Sequence, residues 1–208
     1  MNISISKQQL ASLPAAHYSG RILVIETPEE AEKAVDELYK ADLIGFDTET
    51  RPSFKKGQTF KVALMQLATR DTSYLFRLNK VGMPDGLKSL LQNPNKIKLG
   101  LSTHDDFRNL NKTWKIEPAG FIELQNFVTR WNIIDKSLSK LYGILFGRRL
   151  SKTQRLTNWE ADRLTDAQAH YASLDALACI EIYEYLRDGK FDPEKSEYQI
   201  DENQDEKV

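Results

Sequence analysis

The apolar run Leu43-Ile44-Gly45-Phe46 leads directly into Asp47-Thr48-Glu49-Thr50, which puts two carboxylates at alternate positions on the end of a buried strand. Alternate side chains of a strand share one face, so Asp47 and Glu49 point the same way. Two anions converging there repel each other and lose hydration, a cost that a bound cation offsets. An all-oxygen ligand pair favours a hard divalent ion such as Mg²⁺ or Mn²⁺ over zinc. Taken alone, the pair reads at least as readily as a solvated strand end, because short acidic pairs are common. The rest of the chain has to decide between the two.

The 208 residues, 40% of them hydrophobic, are enough for one well-cored domain and leave little room for a second. The net charge of -1 gives no bulk basic field. The C-terminal residues 192–208 hold seven Asp or Glu against two Lys, a contribution of -5, so residues 1–191 carry -1 + 5 = +4. That mild excess is compatible with gripping a few phosphates and weak as a signal of it. The single cysteine, Cys179, suits a reducing compartment and lies in the apolar run Leu177-Ala178-Cys179-Ile180, where a buried inert thiol is expected. The first residues lack the basic-then-apolar layout of a signal peptide, and no window approaches the ~20 apolar residues of a membrane span. The expectation is a cytoplasmic protein with no membrane contact.

Residues 1–20 read as an N-terminal arm with a short helix near 7–12, and 21–25 as a strand. Thr27-Pro28-Glu29-Glu30 joins a cap residue, a first-turn proline and a Glu three after the cap, which predicts a helix to about Lys40. Strands are expected over 43–49, 61–68 and 72–77, an antiparallel meander with a polar, Lys-bearing loop at 51–60. A short helix at 87–92, a strand at 97–101 and a helix at 103–112 follow, and from Glu123 onward the pattern is essentially helical. The fold class is α/β, one domain over residues 21–190 with a mixed sheet covered by helices on both faces. Residues 191–208 read as an acidic, disordered tail.

Two further acidic positions join the first pair. Thr165-Asp166-Ala167-Gln168 is a capping box, and no Pro or Gly follows until Gly189, so a long helix begins there. Tyr171 and Asp175, four apart, share a face of it. An Asp inside the apolar run Leu174-Asp175-Ala176-Leu177 needs a salt bridge, solvent or a metal. Asp105 and Asp106 open the helix after the strand at 97–101, where acids are ordinary partners of the helix dipole.

The combination resembles a known family. D-x-E on a strand, a later Asp opening a helix and Y-x-x-x-D on a late helix are similar to the DEDD superfamily of 3′–5′ exonucleases, which share a ribonuclease H-like fold. The tyrosine subgroup contains ribonuclease D and the exonuclease domain of the Werner syndrome protein. The stretch Lys61-Val62-Ala63-Leu64-Met65-Gln66-Leu67, then Ser137-Leu138, Leu141, Leu150-Ser151-Lys152, Arg155, Asn158-Trp159-Glu160, Leu164, Gln168 and Tyr171-Ala172, extends the likeness over about residues 21–187. The resemblance implies that Asp47, Glu49, Asp106 and Asp175 are metal ligands for two divalent cations, Mg²⁺ or Mn²⁺. Asp106 is preferred to Asp105 because the family pattern has apolar residues one and four positions after its Asp, here Phe107 and Leu110. His170 also fits an H-x-x-x-x-D spacing to Asp175. At ~100° per residue Tyr171 lies about 40° from Asp175 around the helix and His170 about 140° away, which favours Tyr171.

The activity so implied is hydrolysis of single-stranded or 3′-ended DNA or RNA from the 3′ end, releasing nucleoside 5′-monophosphates, with no obligate protein partner evident. The backbone at Thr48 and Thr50 is expected near the terminal nucleotide. Lys61, Lys152 and Arg155, with Lys55, Lys56, Arg148 and Arg149, are either phosphate contacts or solvated surface charges. Gln66 is either beside the substrate or a structural hydrogen-bonding residue, and Trp159 either recurs for function or packs the helical layer. Two other readings share the residues: a non-catalytic nucleic-acid-binding adaptor on the same fold, and a metal-dependent phosphohydrolase of free nucleotides.

Overall fold

A computed structural model describes residues 1–200. Its strands are β1 (Asn2–Ile3), β2 (Arg21–Ile25), β3 (Leu43–Thr50), β4 (Val62–Ala68), β5 (Thr72–Arg77), β6 (Ile97–Gly100), β7 (Phe121–Glu123) and β8 (Gln199–Ile200). The helices are α1 (Lys7–Ser12), α2 (Pro28–Lys40), α3 (Leu78–Val81), α4 (Asp85–Leu91), α5 (Thr103–Leu110), α6 (Leu124–Phe127), α7 (Leu138–Phe146) and α8 (Asp166–Arg187). Six strands form one sheet in the order β2-β5-β4-β3-β6-β7. The β3-β4-β5 meander is antiparallel, whereas β2, β6 and β7 join in parallel, so the sheet is mixed.

Local chemistry sets the helix boundaries. Thr27 and Thr165 each accept the backbone N–H three residues on, and Glu30 and Gln168 reach back, completing both capping boxes. On one face of the sheet, α2, α4 and α5 bury Val35, Leu38, Leu87, Leu90 and Phe107 against Ile44, Phe46 and Met65. On the other, α8 lies across β3, β4, β5 and β6, and α7 covers α8 in turn. Both faces are covered, so β4 is buried along its entire length and reads as an unbroken run rather than an alternating one. This is the ribonuclease H-like architecture expected from the sequence.

Three expectations change. β7 forms where no strand was read, since Phe121-Ile122-Glu123 is too short to show a period. Residues 147–164 are turns and irregular chain rather than helix, although α7 and α8 on either side are helical. Residues 192–200 are not a structureless tail: Pro193–Lys195 make a 3₁₀ turn and β8 pairs antiparallel with β1. The aromatic side chains of Phe191 and Tyr198 pack on the larger core cluster and outweigh the local acidity. Residues 201–208 of the expected tail lie outside the described residues.

The N-terminal arm is part of the same body. Ile3 and Ile5 are fully buried in the cluster containing α7 and α8. Asp135 fastens the arm, accepting from the Ile5 N–H at 2.8 Å and the Ser4 hydroxyl at 3.0 Å while paired with Lys140. Among the described residues, no helix is long and apolar enough to cross a membrane.

Candidate active site

β3 carries the first two acids across the sheet from β4, with Asp47 opposite Gln66 and Glu49 opposite Leu64. The register slips immediately afterwards, Thr50 facing Val62, so a bulge ends the regular pairing next to Glu49. Gly45 and Phe46 precede them on the same strand. Gly45 has no side chain to hold off the backbone of α8, and Asp175 on that helix therefore comes down beside the odd-numbered face of β3. Carboxylate oxygens of Asp47, Glu49 and Asp175 all lie within 4.8 Å of one another.

Asp106 joins from the opposite side of the sheet edge. β6 runs parallel to β3 and ends at Gly100, and α5 begins three residues later. The Thr48 hydroxyl, on the alternate face from Asp47 and Glu49, donates to Asp106 Oδ1. Asp106 is outside the tight triad, attached to it through Thr48. Asp105 points outward, exposed and paired with Arg108 at 2.8 Å. Of the two adjacent acids, Asp106 is the one held against β3, and Asp105 is not.

Burial and mutual repulsion act on all four carboxyls. Loss of hydration pushes Asp47 up to about 7 and Asp106 up to about 8, the latter helped by the Asp47 charge. Glu49 rises to about 10 through burial and the charges of Asp47, Asp175 and Asp106, with Arg155 pulling the other way. Asp175 is also raised by burial and by Asp47, partly relieved by hydrogen bonding with Tyr171 and by Lys152. Among the described residues, none of the four makes an ion pair with a basic side chain. A gathered set of hard oxygen donors, each carrying a raised proton affinity, fits a divalent cation better than any other neutralising group here.

Tyr171 stands over Asp175 one turn earlier on α8. Burial, then the Asp175, Glu49 and Asp47 charges, raise its phenol far above the ordinary range, so it is a neutral hydroxyl at working pH. Trp159, fully buried, backs it with ring centroids 6.0 Å apart. The loop carrying Trp159 is tied down by Arg77, a buried arginine that donates to Ala161 O, and by Gln168, which donates to Thr157 Oγ1 at 2.9 Å. Composition gave no sign of Arg77: a basic residue at the end of an apolar strand normally reads as its exposed terminus. His170 instead turns edge-on to Tyr18, 6.4 Å between centroids.

The residues expected near substrate fall in several places. Lys152 and Arg155 are exposed and line a cavity of about 250 Å³ together with Ser102, Tyr171 and Asp175. Thr50 is half-buried at the bulge, and the Thr48 N–H already donates to Asp47 Oδ1 at 2.9 Å. Lys61 is exposed just before β4. Gln66 is fully buried opposite Asp47, and its amide has no hydrogen-bond partner among the described residues. Cys179 is buried, its thiol pushed up by burial and aimed at Asp175 O.

Residues 22–189 match a family model described as 3′-5′ exonuclease. Mouse bifunctional 3′-5′ exonuclease/ATP-dependent helicase WRN is 32% identical over 160 residues, which cover 72% of this chain and 11% of that protein. An Arabidopsis thaliana 3′-5′ exonuclease is 29% identical over 201 residues, covering 88% of this chain and 69% of its own. The Aedes aegypti Nibbler EXO domain superposes with a TM-score of 0.75 at 21% identity, covering 87% of this chain and 97% of that domain, a likeness of fold. With the family match covering every element that carries Asp47, Glu49, Asp106, Tyr171 and Asp175, the chain belongs to the 3′-5′ exonuclease family.

Proposed function

We propose that this protein hydrolyses single-stranded or 3′-ended nucleic acid from the 3′ end and releases nucleoside 5′-monophosphates. The observation that carries the reading is the convergence of the Asp47, Glu49 and Asp175 oxygens within 4.8 Å, with Asp106 joined at their flank. Asp47, Glu49 and Asp175 would hold one divalent cation, Mg²⁺ or Mn²⁺, and Asp47 with Asp106 a second. When bound, such a pair acidifies the attacking water and neutralises charge on the leaving oxygen.

The chain's own residues do the rest. The neutral Tyr171 hydroxyl orients the attacking water, because its raised pKa makes it a poor base and a good hydrogen-bonding group. Water adds to the terminal phosphorus, the bond from phosphorus to the 3′-oxygen of the shortened strand breaks, and that oxygen takes up a proton. Lys152 and Arg155, exposed on the wall beside Tyr171, neutralise phosphates of the incoming strand. Thr50 and Lys61 lie at the exit of β3 and the entry of β4, where the terminal nucleotide would be met.

The test uses 5′-labelled single-stranded DNA and its RNA counterpart, each with Mg²⁺, Mn²⁺ or EDTA, and Asp47→Asn alongside. Metal-dependent ladders shortening from the 3′ end, absent from the variant, are the expected result and report the sugar preference. Binding without cleavage in every metal overturns the reading in favour of an adaptor, and hydrolysis confined to free nucleoside triphosphates overturns it in favour of a nucleotide phosphohydrolase.

A further inference from the structure

The turn that delivers Asp106 is built in an unusual way. Ser102, between β6 and α5, sits in the left-handed region at φ 62° and gives the helix no side-chain cap. For a residue with a Cβ this conformation costs about 1 kcal/mol or more, so something outside the turn must hold it. That something is Glu123, at the end of β7. Its Oε1 accepts the Ser102 N–H at 3.0 Å, and its Oε2 accepts the Thr103 N–H at 2.8 Å and the Thr103 hydroxyl at 2.9 Å. Oε1 also accepts the Gln125 N–H at 3.1 Å, and the Gln125 side chain returns a bond to Ser102 Oγ at 2.8 Å.

With both oxygens occupied by backbone and hydroxyl donors, Glu123 is not free to act as a ligand. Its charge is also a disadvantage to the site, since it adds to the repulsion that raises Asp106. A fifth carboxylate in this neighbourhood is explained by geometry rather than by electrostatics. α5 is eight residues long, and Asp105 and Asp106 are adjacent on it. A rotation of about 100°, one residue's worth, would exchange the exposed Asp105 for Asp106. Glu123 prevents that rotation by clamping the first turn to the end of β7, and Thr48 registers the outcome from the other side.

We propose that Glu123 is a positioning residue: its carboxylate fixes the Ser102–Thr103 turn and so aims Asp106 at the second cation position. The inference rests on Asp106 being a ligand there. Supporting residues of this kind are commonly worth 10- to 100-fold in metal affinity.

The experiment titrates the wild type, Glu123→Gln, Gln125→Ala and Asp106→Asn with Mn²⁺ by calorimetry, and follows kcat and KM on a labelled oligonucleotide. Glu123→Gln keeps the size and loses one acceptor. The expected result is a weaker Mn²⁺ site loosened about 10-fold, the tighter site unchanged, and kcat lowered at fixed KM and restored by excess Mn²⁺. A purely structural role would lower the melting temperature without metal rescue. Gln125→Ala, which removes the bonds to Ser102 Oγ and Lys136 O but leaves every acceptor of Glu123 in place, should shift the same site by less and keeps the test alive if Glu123→Gln fails to fold. Unchanged Mn²⁺ binding in the folded Glu123 or Gln125 variant overturns the inference. Unchanged binding in Asp106→Asn overturns the ligand reading beneath it.

Discussion

Gly45 and Ala176 are in backbone contact: a Cβ added at Gly45 would lie 1.9 Å from the Ala176 carbonyl oxygen. Gly45 stands two residues before Asp47 and Ala176 one after Asp175, so this contact sets the distance between two of the gathered acids. The clash is with backbone, which cannot swing aside as a long side chain would. Gly45→Ala should cost about 3 kcal/mol or more, lowering the melting temperature by roughly 6–12 °C. It should also weaken Mn²⁺ binding in whatever folds. Thermal denaturation with and without Mn²⁺ measures both, and a variant with wild-type melting and metal response would show that β3 and α8 separate freely.

Tyr171 and His170 offer the sharpest separation of roles on α8. Tyr171→Phe removes the hydroxyl beside Asp175 and keeps the ring against Trp159. Its kcat should fall about 10- to 100-fold with KM little changed, whereas His170→Ala, at an exposed position against Tyr18, should leave turnover near wild type. Steady-state kinetics on one labelled strand decide the matter; the reverse ranking would reassign the role to the histidine.

The metal-free protein should lose stability as pH rises. In the unfolded chain the acids titrate near 4, but in the fold burial holds Asp47 up to about 7, Asp106 up to about 8 and Glu49 up to about 10. Over that window the folded state retains protons that the unfolded state has released, so stability present at pH 4 is lost progressively toward pH 8 and above. Melting curves in EDTA from pH 5 to pH 8 should show the fall, and Mn²⁺ at pH 8 should reverse it. Asp175→Asn, with one charge fewer in the triad, should flatten the profile.

Asp135 tests whether the N-terminal arm belongs to the body of the domain. Asp135→Ala strips the buried Ile5 N–H and the Ser4 hydroxyl of their acceptor and leaves Lys140 without its partner. The expected loss is about 2 kcal/mol, or roughly 4–8 °C in melting temperature. Hydrogen exchange should show faster exchange at Ile5, with kcat per folded molecule unaffected. Unchanged melting would mean that the arm contributes nothing to the fold.

Much of this was legible in the chain. The capping boxes at Thr27 and Thr165 are local hydrogen-bond patterns, and both helices start where those residues place them. The β3-β4-β5 meander followed from short apolar runs separated by polar turns, and the D-x-E alternation put Asp47 and Glu49 on one face because a strand has a period of two. The pairing of Tyr171 with Asp175 followed in the same way from the helical period. Residues 192–200 went astray because local acidity was read without the core that Tyr198 and Phe191 would meet.

The sequence by itself determined which face of its own element each candidate acid and Tyr171 occupies, since a face depends on neighbours within a few positions. Only the tertiary structure decided how those faces meet. The backbone approach at Gly45 sets the spacing of Asp47 from Asp175, the clamp of Glu123 on the Ser102–Thr103 turn sets the aim of Asp106, and the hold of Arg77 on Ala161 places Trp159 behind Tyr171. Each of these joins residues far apart in the chain through contacts made by packing, and no local period or propensity encodes such contacts.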